Sequence, residues 1–496
     1  MGSSGKNLEK LNISTSLLNQ AVAVTCGILI PRMLLGAFGS EAYGISVSIT
    51  QFLSYISLLE GGIGGVARAE LYTPLAEKDK DRVSGVYHAE KRFFYHISII
   101  FVLYSLALGL FYPDIAHVTL FSRAYVFGLV MVIGLSTLAQ YMGGLTNLTL
   151  IVADQHVYIN NIILVITTIL NTALLALLIY LHCTFLLVKL GSSLVFLVRP
   201  VLYGIYVKRH YSIRKRTKEK VELKQKWTGL GQHIAYFLHT NTDVMVLTFF
   251  ADPQTVAVYA VYNMVVSSIR AFTESFAGGM EALFGKLLAE GNKQQLVYEF
   301  KKYSLLLACA SFVLFGCTGI LILSFVRLYT SGITDADYFR PQFAIILVLA
   351  EAANCIAFPS ASLPVAANEL KETRWGAYGE AAINIGLSCL LVQVNPLAGV
   401  ALGTLAATVF RGIYYIRYST EKILSLSTLK TLLSAGSVLG LLYLVVRGGQ
   451  RLLQNASIHN FFQWAVYGLA AFFVIGLMGY LFYRAVMGAM KKGRQA

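Results

Sequence analysis

The chain has 496 residues, 56% of them hydrophobic and only 13% charged, with a mean hydropathy of +0.64. Soluble globular domains carry about twice that charge fraction, so the composition excludes a soluble enzyme, a disordered chain and a collagenous one. The net charge of +15, from 40 Lys and Arg against 25 Asp and Glu, would suit nucleic acid in a soluble protein. Here it sits in short segments between apolar stretches, so it marks topology and implies no nucleic-acid partner.

A transmembrane helix needs roughly 20 apolar residues. Fourteen such stretches follow one another, at about 12–36, 41–67, 93–112, 122–146, 158–180, 183–207, 229–250, 254–284, 303–328, 342–367, 374–394, 396–418, 429–446 and 462–486. The first stretch is too long for a cleavable signal peptide. It carries Arg32 beside Pro31, then the turn GAFGSEAYG, and the second stretch ends in GGIGG. Lys78, Lys80, Arg82, Lys91 and Arg92 follow, and KRHYSIRKRTKEKVELKQKWT occupies 208–228. Placing these basic segments in the cytoplasm puts both termini there too.

The basic run separates two groups of six spans. The expected domains are an N-terminal lobe (1–207), a basic cytoplasmic linker (208–228), a C-terminal lobe (229–418), and a terminal helix pair with tail (419–496). The halves echo each other: LAEKDK at 75–80 matches LAEGNK at 288–293, and Arg32 lies 211 residues before Asp243. Six spans preserve direction, so the repeats share one orientation, a transporter signature. Pro31, Pro200, Pro359 and Pro364 lie inside spans, where they kink or loosen helices. Gly61–Gly65 and Gly399–Gly403 fit the spacing that lets helices approach closely. The six cysteines form no C-x-x-C pair, so they read as buried apolar residues.

IPRMLLGAFGSEAYGI around the first outer turn and NTDVMVLTFFADPQTVAVYAVYN in spans 7–8 are similar to the polysaccharide transporter branch of the multidrug/oligosaccharidyl-lipid/polysaccharide flippase superfamily. That branch includes O-antigen and capsule repeat-unit flippases. The division into six, six and two spans matches as well. The resemblance implies alternating access and a lipid-linked oligosaccharide as cargo. Arg32 and Asp243 look like the family's charged positions before the outer turns. Polysaccharide polymerase and glycosyltransferase partners, and a bacterial inner-membrane location, are implied by resemblance alone.

An ionisable group inside a span costs several kcal/mol and is a functional hypothesis by default. The first half is mostly basic there, with Arg32, Arg68, Lys189 and Arg199 against Glu60. The second is mostly acidic, with Asp243, Glu274, Glu281, Glu351 and Glu380 against Arg270 and Arg411. A cationic wall from Arg199, Lys189, Arg32 and Arg270 would suit a diphosphate head group, since guanidinium matches phosphate oxygens bidentately. Asp243, Glu60, Glu351 and Glu274 would carry a coupling proton or sodium ion; no other cofactor is expected.

Plainer readings stand beside these. Arg68, Glu281, Glu380 and Arg411 near inner ends would snorkel to the interface. Arg270 and Glu274, four apart, would pair along one helix. Tyr236, Tyr259 and Tyr262 would either stack on sugar rings or belong to an interfacial belt.

No nucleotide-binding glycine loop is present. A glycosyltransferase would need a catalytic loop, yet the Asp335–Asp337 pair lies in a loop of only about a dozen residues. The reading that fits is a flippase and not an enzyme: an all-α polytopic protein of about fourteen spans, two six-helix lobes and a terminal pair, translocating a lipid-diphosphate oligosaccharide. A cation-coupled multidrug exporter and a peptidoglycan-precursor flippase are the alternatives.

Overall fold

Within a bilayer every backbone N–H and C=O must be satisfied inside its own segment, and apolar runs of this length achieve that as helices. The computed structural model describes residues 3–60, 62–214, 230–275, 278–454 and 458–495, and no strand occurs among them. The first unit contains α1 (Ser3–Ser54), a 3₁₀ turn (Tyr55–Glu60), α2 (Ile63–Ala76), α3 (Lys80–Ile115), α4 (Arg123–Ala139), a π turn (Gln140–Gly144), α5 (Leu145–Ala153), α6 (Val157–Tyr180) and α7 (Phe185–His210). Then come α8 (Leu230–Phe250), α9 (Pro253–Ser275), α10 (Gly278–Ala289), α11 (Lys293–Tyr329), α12 (Pro341–Ala366), α13 (Leu370–Leu391), α14 (Pro396–Tyr418), a second π turn (Ser419–Leu424), α15 (Thr428–Gln454) and α16 (Phe461–Gln495).

Among the described residues, eleven helical stretches are long and apolar enough to cross a membrane. The first of them, Asn7–Glu60, has 54 residues. At 1.5 Å per residue it is about 80 Å long, far more than one crossing of a roughly 30 Å hydrocarbon core. It bends at Gly39, whose φ of 80° interrupts the helix, so it supplies two spans. The more polar α8 and α13 complete fourteen. Large side chains such as Leu110, Phe111, Leu177, Leu444 and Phe473 are exposed, an apolar surface of the kind lipid covers.

Two compact units divide the chain: Met1–Ile234 with Asp252–Ala257, and Ala235–Ala251 with Val258–Ala496. Of the basic linker, residues 215–228 lie outside the described ones. Two expected spans are broken where the sequence suggested continuity. Span 2 leaves the α-helix at Ser54, and Gly62 (φ 84°) starts α2; glycine tolerates that left-handed geometry at no Cβ cost. Span 4 widens into the π turn before α5.

In unit 1, polar ties fasten helices that share apolar faces. Asn12 donates to the Gln155 carbonyl and accepts from the Tyr158 amide, both at 2.9 Å, while Asn161 donates to Ser16 at 2.8 Å, joining α1 to α6. Glu41, just past the α1 bend, accepts from the Leu120 amide at 2.8 Å and from the Thr119 amide and hydroxyl at 3.1 Å. That holds the α3–α4 connection.

In unit 2, α13 and α14 come closest. A Cβ on Gly399 would lie 2.4 Å from the Leu391 carbonyl carbon, and one on Gly403 would lie 2.2 Å from Ser388 Oγ. The expected close approach holds for this pair but not for Gly65, whose Cβ position is open; its partner Gly61 lies outside the described residues. The terminal pair belongs to unit 2: Gln450 donates to the Gly319 carbonyl at 2.8 Å and Trp464 Nε1 to the Leu321 carbonyl at 3.2 Å.

Candidate functional site

The intramembrane charges separate into clusters that differ in how they are satisfied. In unit 1, Arg199 lies on α7 beside Pro200 and reaches α6. Its Nε donates to Thr167 Oγ1 at 2.8 Å and its Nη2 to Thr168 Oγ1 at 3.2 Å. The guanidinium carbon also stands 4.2 Å from the Phe196 ring centroid. No carboxylate pairs with Arg199 among the described residues. A half-buried guanidinium held by neutral hydroxyls and a ring face keeps its charge and its remaining donors for an anion.

Lys189 lies ten residues earlier on α7, half-buried, with Nζ 5.4 Å from the Phe185 centroid. Three turns of helix separate it from Arg199, so the two do not form one compact anion site. Arg32 is half-buried on α1. Glu60 ends the 3₁₀ turn and accepts from the Tyr141 hydroxyl of the π turn at 2.5 Å. This bond joins the two places in unit 1 where the helix changes to a 3₁₀ or π turn.

In unit 2, Asp243 is almost fully buried. Its carboxylate accepts from Thr404 Oγ1 at 2.8 and 3.0 Å and from the Tyr259 hydroxyl at 2.9 Å. Thr404 in turn accepts from Asn384 Nδ2 at 3.2 Å, and the Asn384 side-chain oxygen is buried with no hydrogen-bond partner. Here α8, α9, α13 and α14 converge on oxygen atoms and one carboxylate, a donor set suited to a proton or a small hard cation.

A second cluster joins α9 and α12. Arg270 Nη1 donates to the two Glu351 oxygens at 3.0 and 3.2 Å, while its Nε is 3.9 Å from Glu274. The expected intrahelical Arg270–Glu274 pair is therefore the weaker contact, because Glu351 on the neighbouring helix is more buried and nearer. Arg270 is thus committed to carboxylates, unlike Arg199.

Two residues expected at the interface are instead partners. Glu380 on α13 is buried and pairs with Arg411 on α14 at 3.2 Å. Their tight helix–helix approach leaves no path for the carboxylate to snorkel. Glu281 and Arg68 are exposed, in keeping with the interfacial reading. Tyr262 is buried and fastens a connection, donating to the Tyr338 carbonyl at 2.7 Å and accepting from the Arg340 amide at 3.2 Å. The Tyr236 side chain lies outside the described ones.

Sequence reasoning passed over Thr404, Asn384 and Glu90. The signal for the first two was legible: Asn384 with Ser388, and Thr404 with Thr408, are polar pairs four apart on two apolar helices. Glu90 precedes the apolar run that begins at residue 93, so hydropathy does not mark it as intramembrane.

No family model matches the sequence, and no curated protein matches it either. Solved structures do share the fold. "Lipid II flippase MurJ, inward closed conformation" aligns over 96% of this chain and 99% of its own, with a TM-score of 0.69 at 13% identity. "Inward-facing conformation of a multidrug resistance MATE family transporter of the MOP superfamily" aligns over 84% and 95%, with a TM-score of 0.58 at 11% identity. The eukaryotic MATE transporter AtDTX14 aligns over 88% and 98%, with a TM-score of 0.58 at 13% identity. The chain is therefore an all-helical membrane protein with the fold of this transporter superfamily.

Proposed function

We propose that the chain is an alternating-access flippase of the bacterial inner membrane that moves a lipid-diphosphate-linked oligosaccharide repeat unit to the outer leaflet for surface polysaccharide synthesis. Both termini would be cytoplasmic, and a polymerase and glycosyltransferases would act beside it. The observation that carries the reading is Arg199, a half-buried guanidinium held only by threonine hydroxyls and a phenyl face. A diphosphate supplies the charge that this site lacks. Lys189 and Arg32 would assist from the same unit. Arg270 would serve only after Glu351 releases it, so its place in head-group binding is secondary.

Asp243, with Thr404 and Tyr259, would be the principal ion-coupling group, and Glu60, Glu351 and Glu274 would complete the acidic set. A bound ion or head group drives rocking of the units only if it prefers one state. The fold shared with a lipid II flippase favours a second reading, in which the cargo is a peptidoglycan precursor; the multidrug-exporter reading is supported by more distant folds.

Translocation of a lipid-diphosphate oligosaccharide by the purified protein in liposomes tests this. Movement of that cargo, lost in Arg199→Ala at normal expression, is the expected result. Export of a small organic cation with no movement of the sugar lipid would overturn the flippase reading, and transport of lipid II alone would move it to the second one.

A further inference from the structure

Glu90 belongs to none of the clusters above. The buried stripe of α3 runs Val83, Val86, Phe94, Ile97 and Phe101 at helical spacing, and Glu90 occupies an apolar place within it. It is 0% exposed, and neither carboxylate oxygen makes a hydrogen bond of full geometry; the Thr149 hydroxyl is the one group that approaches it as a donor among the described residues. α2, α4, α5 and the π turn all pack along α3, and α2 and α5 bring polar groups to Glu90. Thr149 of α5, Arg68 of α2 and Tyr87 of α3 are the polar groups that face the carboxyl.

Thr149 offers a single hydroxyl and Arg68 attracts only from a distance, so among the described residues no group pairs with a charge on Glu90. Arg68 is exposed, donates Nε to the Gly64 carbonyl at 3.1 Å, and makes no ion pair with Glu90. The Tyr87 hydroxyl is spent on Asn147 Oδ1 at 2.8 Å. Tyr141, from the π turn that also packs on α3, spends its hydroxyl on Glu60. Thr146, three residues before Thr149 on α5, has a buried hydroxyl that also lacks a partner.

A bare carboxylate so placed costs several kcal/mol, whereas a carboxylic acid costs far less and can turn its O–H toward a hydroxyl oxygen. A metal cation is disfavoured: among the described residues no second carboxylate acts on Glu90 and no group of three metal-ligating residues occurs, and Arg68 repels a cation.

We propose that Glu90 is a proton-binding site of unit 1, separate from the Asp243 cluster. It holds a proton in this conformation and releases it when the α2–α3–α5 contact opens to water or to Arg68. The site requires unit 1 alone and no particular cargo; only the coupling of its proton to transport rests on the flippase reading.

The test is infrared spectroscopy of the purified full chain in phosphatidylcholine vesicles at neutral pH, reading the carbonyl stretch of protonated carboxylic acids. Glu90→Gln should lose one carboxylic-acid equivalent from that band, with no change on exchanging sodium for potassium. Glu90→Asp, which keeps the acid, should shift the band; that variant carries the test if the glutamine variant does not fold. An unchanged band in either variant means that Glu90 is ionised and overturns the inference. A Glu90 band abolished by sodium reassigns the site to a cation and overturns it as well. Loss of the band in Glu90→Gln alongside wild-type failure to move sugar lipid would leave the proton site standing and remove the sugar lipid as cargo.

Discussion

The Arg270–Glu351 pair gives the sharpest quantitative expectation. At 3.0 Å, with the side chains 20% and 8% exposed, an effective dielectric of 20 gives a gross attraction of about 5–6 kcal/mol. Much of it is offset by desolvation. Glu274, at 3.9 Å, remains as a weaker partner if Glu351 is removed. A double-mutant cycle of Arg270→Ala and Glu351→Ala, read by equilibrium unfolding in mixed detergent micelles, should give a coupling of about 2–3 kcal/mol. Glu351→Ala alone should destabilise by about 3 kcal/mol, the lower end for stranding a buried charge.

The exposed pair Arg417–Glu421, at 71% and 45%, is the control and should couple by less than about 0.5 kcal/mol. Equal coupling in the two pairs would refute the argument, because burial would then contribute nothing. A larger coupling in a parallel Arg270–Glu274 cycle than in the Arg270–Glu351 cycle would show that the intrahelical pair is the stronger one.

Three further outcomes follow from particular contacts. Gly403→Leu should cost several kcal/mol or abolish folding, since its Cβ alone would strike Ser388, while Gly440→Ala, open on all sides, should be neutral or stabilising by up to about 1 kcal/mol; similar unfolding midpoints for the two would count against the α13–α14 packing. Asp243→Asn should remove the dependence of translocation on the coupling ion while leaving the protein folded, and a wild-type ion dependence measured in liposomes would take Asp243 out of coupling. Tyr211, just beyond α7, is held above the usual phenol range by burial and by donating to Asp154 at 2.7 Å. Its neutral form is the folded form, so stability should be full below about pH 10 and fall above it as the unfolded phenol ionises first. Tyr211→Phe should flatten that alkaline slope, and an unchanged slope in an alkaline unfolding series would exclude the contact as its source.

Much of the architecture is written in one dimension. Hydrophobic length sets the spans because a bilayer imposes one thickness and satisfies no backbone group. Gly399 and Gly403, the turn around Gly39 and the position of Asp243 inside an apolar run could all be read in this way. So could Arg199, because a charge in a span stands out against its neighbours whatever the fold.

Which charge meets which other could not be read so, because partners lie on different helices. Glu351 is 81 residues from Arg270, and Glu380 is 31 from Arg411. Only the packing of α9 on α12 and of α13 on α14 decides that these are ion pairs. The same packing surrounds Asp243 with Thr404 and Tyr259, leaves Arg199 with hydroxyls, and closes α2, α3 and α5 over Glu90. Composition and periodicity determine what a residue must avoid, namely unsatisfied burial. Tertiary structure alone decides which residue satisfies it, because hydrogen bonds and ion pairs act over a few ångströms of space and are blind to distance along the chain.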